Sequence, residues 1–378
     1  MKILFLILLF TATALPAQVA ELTLLDASTK QPIPNVEAYY ARSLNGTITN
    51  EEGKLRIAVE NDTLTLSHIG YATKKIFTDK TFAKTTIYLN PQEIQLDEVV
   101  LYNFDLKKKV KYVLDNYFKL YDTKAKILEC TYREKTTKND KLIRLYQNQL
   151  NWWSKNYVYQ FKEPLNKFTH IQLKSTDYSK IIGKEEDTSN ELSLEQRRLI
   201  MYLHLNPYLV FLYNAKTIDI KKVEKDNEYT IVTFDADFGK FDLNVFNSVI
   251  YFDNQTNAIK KIIFNQVPYT KERVSEKSKI PYKSTPEFAT WELTFTSYKD
   301  KLLFSSFAVK AKVRVEFEEK TYIYFSEENF LRTGIQNKHI KKEDRIDVEK
   351  PFFEYVTPHK QGEAKFLLTK EEQEFINQ

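Results

Sequence analysis

Residues able to do chemistry are few in this sequence, and most stand apart from the groups that would activate them. Arg133 and Glu134 could form an acid–base or ion pair, but neighbours on a strand project to opposite faces and cannot share a site. Asp235 and Asp237 do project to one side and precede Gly239, the beginning of a cation loop. Hard cations need several more oxygen ligands than these two supply. Trp152 and Trp153 beside Tyr157 and Tyr159 could make an aromatic platform for a sugar or a peptide, with one Trp facing the core and the other free. A composite hydrolytic site would have to gather His204, His359 or Asp235 with other acidic groups. Cys130 is the only cysteine, so no internal disulfide forms, and a small buried hydrophobe on a strand is its simplest role. Gly-x-Ser-x-Gly, Gly-x-Gly-x-x-Gly, His-Glu-x-x-His and Cys-x-x-Cys are all absent from the sequence. No catalytic residue, metal or cofactor is therefore expected.

The elements that would carry these residues are mostly strands. In the first part, short alternating runs at 21–25, 36–41, 47–49, 54–59, 63–67, 75–77 and 85–89 predict about seven strands of a small antiparallel sandwich. Leu55 and Ile57 point one way and Lys54 and Arg56 the other, the pattern of a sheet with one wet face. Pro34, Gly46, Asn50, Gly53 and Gly70 mark the turns; at 50–53 an Asn side chain bonds the backbone ahead and a Gly takes positive φ.

Beyond Leu101 a helix is predicted from an Asp105 cap, with Leu106, Val110, Val113, Leu114, Tyr117, Phe118 and Tyr121 on one stripe. Its Lys107, Lys108, Lys109 and Lys111 form a candidate patch for a membrane surface or an anionic partner, against the simpler reading of a solvated face. A second helix follows Ser193, with Gln196 completing a capping box, and Asn206-Pro207 is expected to interrupt it. The remainder alternates with period two. Phe307, Val309, Ala311, Val313, Val315 and Phe317 make a dry side, and Lys310, Lys312, Arg314, Glu316 and Glu318 a wet one. Further strands are expected at 142–152, 157–161, 217–223, 229–234, 245–252, 259–264, 291–298 and 321–325, giving a meander of long hairpins that must curl on a core as a half or closed barrel, or stack.

Composition supports a division near residue 101. Residues 18–101 carry 8 basic and 11 acidic side chains, whereas residues 102–378 carry 47 and 40. The net charge of +5 over 378 residues is too small and too dispersed for a nucleic-acid binder. Only 7 glycines against 26 Phe and 24 Tyr disfavour a Gly-rich phosphate loop and favour β packing. Met1-Lys2, the apolar run 3–10 and the small residues Ala12, Ala14 and Ala17 read as an export signal cleaved near Gln18. The expected domains are a signal peptide at 1–17, a β-sandwich at 18–101 and a β-rich domain at 102–378.

Three ordered motifs in the first part, Pro32-Ile33-Pro34-Asn35-Val36, then residues 46–55 with Asn50-Glu51-Glu52-Gly53, then Leu64-Thr65-Leu66-Ser67-His68-Ile69-Gly70-Tyr71, are followed by Leu96-Asp97-Glu98-Val99-Val100. Together they resemble the carboxypeptidase regulatory-like domain. The resemblance implies a transthyretin-like sandwich of the kind appended, without catalytic residues, to some carboxypeptidases and placed at the amino terminus of many TonB-dependent outer-membrane receptors. Asn50 stands where the family's turn usually carries an acidic residue, which keeps the acceptor and loses a charge. A zinc carboxypeptidase needs a His and a Glu three residues apart, and none of His68, His170, His204, His339 or His359 has that neighbour. The 277 residues after Leu101 are also too few for a barrel of about 22 strands with its plug. The segment from Phe104 through Cys130–Glu134 to a strand near Leu150 resembles an uncharacterised region that follows the same module in other envelope proteins.

The sequence thus predicts an exported, non-enzymatic envelope protein in the periplasm or at the outer membrane. It would bind or scaffold a protein, a glycan or the membrane surface, with no nucleic acid and no membrane span once the signal is removed. The alternatives are a lipid or acyl-chain carrier with an apolar groove in the second domain, and a hydrolase with a composite site.

Overall fold

A computed structural model describes residues 18–40, 42–68, 70–91, 104–182, 196–239, 244–275, 278–348, 350, 352–357 and 367–378. The expected signal at 1–17 and His359 lie outside them. The protein is mainly β, with 54% strand and 14% helix. The described residues fall into two compact units, those within 1–92 and 365–369 and those within 93–364 and 370–378.

The first unit has seven strands: β1 (Val19–Asp26), β2 (Glu37–Tyr40), β3 (Gly46–Ile48), β4 (Lys54–Ala58), β5 (Asp62–Ser67), β6 (Lys74–Thr78) and β7 (Thr85–Leu89). They form two sheets, ordered β4-β1-β7 and β3-β2-β5-β6. Alternate residues of each, among them Leu22, Leu24, Ala38, Tyr40, Leu55, Leu64, Leu66 and Leu89, meet in one buried core. The expectation of a purely antiparallel sandwich is corrected at one pair, because β1 and β7 run parallel. The chain reaches β7 from β6 in the other sheet, and no hairpin fixes its direction.

The turn residues have distinct roles. Asn50 Oδ1 accepts from the amides of Glu52 (3.0 Å) and Lys54 (2.9 Å), and Gly53 follows at φ +69°, where an added Cβ would lie 2.5 Å from Leu24 O. Gly70 also has positive φ, at +97°. Pro34 precedes Asn35, the residue that takes φ +58°. Gly46 belongs to a strand instead of a turn, its missing Cβ allowing close approach to Ala38 O.

The second unit opens with α1 (Leu106–Asp115) and α2 (Tyr117–Leu120), then β8 (Lys126–Lys138), β9 (Lys141–Ser154) and β10 (Thr169–Ile181). Two helices follow, α3 (Gln196–Tyr202) and α4 (Leu205–Tyr213). The next strands are β11 (Thr217–Lys225), β12 (Tyr229–Asp237), β13 (Val245–Asp253), β14 (Ile259–Asn265) and β15 (Lys271–Val274). Three long ones complete the sheet, β16 (Pro281–Tyr298), β17 (Lys301–Phe317) and β18 (Lys320–Gln336), and α5 (Lys370–Asn377) ends the chain.

All eleven strands join one antiparallel sheet in the order β10-β9-β8-β18-β17-β16-β14-β13-β12-β11, with β15 pairing β16. The sheet does not close. Along β17 the expected dry side is recovered at Phe307, Val309, Val313, Val315 and Phe317. One face of the sheet is packed by α1 (Leu106, Val110, Val113), α3 (Leu199, Ile200) with Leu203 just after it, and α4 (Leu205, Leu209, Leu212). Rings at this layer touch both halves of the sheet: His204 lies 5.3 Å from Trp152 on β9, and Tyr208 lies 5.1 Å from Phe264 on β14. Four strands lie between β9 and β14, and a flat sheet would hold the two about 24 Å apart, so the sheet curls around the helices.

Two expected elements differ. Pro207 does not interrupt a helix but sits in the first turn of α4, where its missing N–H has no helical acceptor to lose. The run 157–161 is no strand, because Tyr157 takes φ +47° and turns the chain after β9.

Candidate functional site

Asp105 caps α1 by accepting from the Lys108 amide (2.9 Å), and the apolar stripe of the helix faces the core. This fixes the three consecutive lysines beside the outermost strand on that side, β11. Between them lies an open groove of about 890 Å³, lined by Phe104, Leu106, Ile218 and Ile220 on its apolar side and by Lys107, Lys108 and Lys109 on its charged side. That volume falls in the range of small-molecule and peptide sites. Asp105, Tyr112 and Asn257 complete the lining.

The lysine patch is not a simple solvated face. Lys107 and Lys109 are half-buried, and their ammonium groups donate to neutral acceptors, Ala215 O at 2.6 Å and Asn257 Oδ1 at 2.5 Å. Among the described residues none of Lys107, Lys108 and Lys109 forms an ion pair; Lys111, one turn on, is paired with Asp115 at 2.7 Å. Burial, reinforced by the charge of Lys225, holds the Lys109 pKa below the ordinary lysine value. The groove is therefore a partly desolvated, positively charged site with an apolar floor.

The other candidates from the sequence are placed elsewhere. Trp152 is buried in the core, its Nε1 donating to Thr169 Oγ1 (2.9 Å), and Tyr157 is buried against it with rings 5.1 Å apart. Trp153 is buried on the opposite face, stacked on His170 at 4.8 Å, and Tyr159 is half-buried against Phe168. These four aromatics form no exposed platform; three of them are packing residues. Asp235 accepts from the Asn247 amide (2.7 Å) and pairs with Lys221, while Asp237 accepts from Gly239 N (2.7 Å). No group of three or more His, Cys, Asp or Glu side chains suited to a metal occurs among the described residues. Cys130 is buried on β8.

Arg133 and Glu134 do face opposite sides of β8, but both are buried. Arg133 Nη2 meets Glu372 Oε1 of α5 at 2.6 Å, and its Nε donates to Tyr178 OH (3.0 Å). Glu134 Oε1 accepts from Arg144 Nη1 at 2.8 Å, and its Oε2 accepts from Tyr146 OH. Each of the two residues thus anchors its own polar network. His204 is buried too, its Nδ1 donating to Ile200 O (2.6 Å). Its Nε2 has no hydrogen-bond partner among the described residues and borders a void of about 20 Å³ lined by Tyr117, Tyr121, Trp152, Tyr157 and Phe304. His204 and Asp235 share no partner, so they form no common site.

The groove residues Phe104, Ile218, Ile220 and Asn257 escape sequence reasoning. Ile218 and Ile220 alternate like any strand, and nothing local reveals that this strand is the edge.

No curated protein matches the chain. Among solved structures, a LolA superfamily protein from Nitrosomonas europaea is 9% identical at a TM-score of 0.24, over 67% of this chain and 100% of that one. A putative membrane-associated protein of unknown function from Bacteroides fragilis is 10% identical at a TM-score of 0.15, over 84% and 98%. Likenesses this low carry no argument. The family model of the CarboxypepD_reg-like domain matches residues 23–101. The amino-terminal seven-stranded sandwich is a CarboxypepD_reg-like domain, a regulatory and non-catalytic module at the start of the chain.

Proposed function

We propose that this chain is an exported, non-enzymatic binding protein of the cell envelope. The curled-sheet unit holds its ligand site in the groove between α1 and β11, which takes a partner that is apolar along its length and negatively charged. The observation that carries this reading is the groove itself, about 890 Å³ with three lysines on one side that form no ion pair among the described residues. Such a site attracts an anion while gaining from apolar burial. The packed layer of α1, α3 and α4 on the sheet favours binding at this rim over enclosure of an acyl chain inside the curl. The basic, then apolar, then small-residue pattern of residues 1–17 supports export. No helix among the described residues is long and apolar enough to cross a membrane.

The probe is anilinonaphthalene sulfonate, a small apolar anion. The full chain should bind it at one saturable site, and Lys107→Glu with Lys109→Glu should weaken binding about tenfold. Lys155→Glu, an exposed lysine outside the groove, should leave it unchanged. Absence of saturable binding, or equal affinity in the double variant, contradicts the reading. Export is checked by fractionating producing cells and sequencing the amino terminus: envelope material starting near Gln18 is expected, and cytosolic material retaining Met1 contradicts it.

A further inference from the structure

The two edges of the eleven-stranded sheet are treated differently. At β10 the chain covers the edge: Ile346 N donates to Ile171 O (3.0 Å), and Ser179 Oγ donates to Thr357 O. At β11 no main-chain hydrogen bond reaches the outer edge among the described residues, and the alternate residues of this nine-residue strand turn their N–H and C=O groups outward on either side of a bulge at 220–222. Folded proteins usually cover or blunt such an edge, because it is a template for another strand.

The groove runs along this same edge. Ile218 and Ile220 of β11 line it, with Phe104 and Leu106 opposite. A strand added to β11 would send alternate side chains into the groove, since successive residues of a strand point to opposite faces. The charge of the site selects which strand. Lys107, Lys108 and Lys109 line the groove, and Lys225, at the far end of β11, lies near enough to act on Lys109. None of the four is ion-paired among the described residues, and the single carboxylate of the lining, Asp105, is engaged by the Lys108 amide.

We infer that the groove binds an extended acidic peptide segment of a partner protein, added as a twelfth strand to β11, whose groove-facing residues, every second one, supply both apolar side chains over Ile218 and Ile220 and carboxylates toward the lysines. The inference rests on the binding reading above and supplies its partner class. A lipid headgroup could satisfy the lysines, but it has no backbone to pair with the open edge, which favours the peptide.

The probe is a capped, fluorescein-labelled nine-residue peptide, Val-Thr-Glu-Thr-Val-Thr-Glu-Thr-Val, whose valines and glutamates share one face of a strand, titrated by anisotropy into the full chain. One saturable site is expected, with slowed amide exchange along β11. Affinity should fall about tenfold or more in the Lys107→Glu, Lys109→Glu variant, whose near-ultraviolet circular dichroism must match the parent. A control peptide of the same charge with proline in place of each valine cannot complete the ladder and should not bind. Equal binding of the proline peptide overturns strand addition. Tighter, lysine-dependent binding to phosphatidylglycerol vesicles than to the peptide overturns the choice of partner. Dye binding without peptide binding overturns this inference and leaves the groove reading standing; loss of both removes both.

Discussion

Replacing Arg144 by methionine should destabilise the protein by about 3 to 5 kcal/mol, because breaking one side of a buried ion pair leaves the other charge uncompensated. Arg144 is 1% exposed and bridges to Glu134 at 2.8 Å, with its guanidinium 4.4 Å from the Phe353 ring. Tyr146 OH also donates to Glu134, and Tyr132 OH donates to Glu328 (2.7 Å) on the neighbouring strand. Without the guanidinium, the Glu134 carboxylate stays buried and held by neutral hydroxyls, those of Tyr146, Tyr132 and Thr136. Adding Glu134→Gln to the Arg144→Met variant should restore most of the loss, since removing both charges spares the desolvation of both. Urea unfolding at neutral pH measures this. A single-variant loss below about 1 kcal/mol, the value of a surface pair, would show that Arg144 is not sealed in the core.

Acidification should destabilise the second unit through His204. Burial holds its pKa down to about 4, against 6.5 for a free imidazole. The folded state therefore refuses a proton that the unfolded state accepts. Stability from this group is complete above pH 6.5 and is lost as the pH falls from there toward 4. Between pH 7 and pH 5 the loss is about 2 kcal/mol. The groups around the ring are Tyr117, Tyr121 and Tyr157, together with Asp122, whose carboxylate is already taken by Lys126. None of them is positioned to welcome an imidazolium. His170, also depressed by burial, adds to the same slope. His204→Phe keeps an aromatic ring in the aromatic shell and should flatten the dependence in urea titrations at pH 7, 6 and 5. An unchanged slope would place the titrating group elsewhere.

Much of the architecture is legible in the sequence because it is written in local alternation. Each of the seven strands of the first unit falls within about two residues of its expected range, since each alternating run is bounded by its own turn residues. The direction of β7 is not legible, because pairing between strands far apart in sequence leaves no local mark. In the second unit the hairpins are found wherever turn residues separate two alternating runs. β10 is missed, for its mixture of Lys, Ser, Thr and Asp records polar packing within the sheet and not an alternating apolar face. Tyr157 fails as a strand residue because its positive φ carries no sequence signal in an aromatic side chain.

The candidate site is only half legible. The lysine run is visible, and its cap at Asp105 places it at the start of a helix. What lies opposite depends on the order of eleven strands, and Ile218 belongs to the edge only because β11 has no further neighbour among the described residues. Arg133 and Glu134 show the same limit. Alternation separates them correctly, while their burial depends on α5 covering one face and on Phe353 covering the other.

Hydrogen–deuterium exchange of the full chain with and without anilinonaphthalene sulfonate tests the central claim most directly, because it locates the bound anion. The groove account predicts protection confined to residues 104–112, 217–225 and the turn around Asn257. Protection centred on α3 and α4, or none at saturating dye, would contradict it.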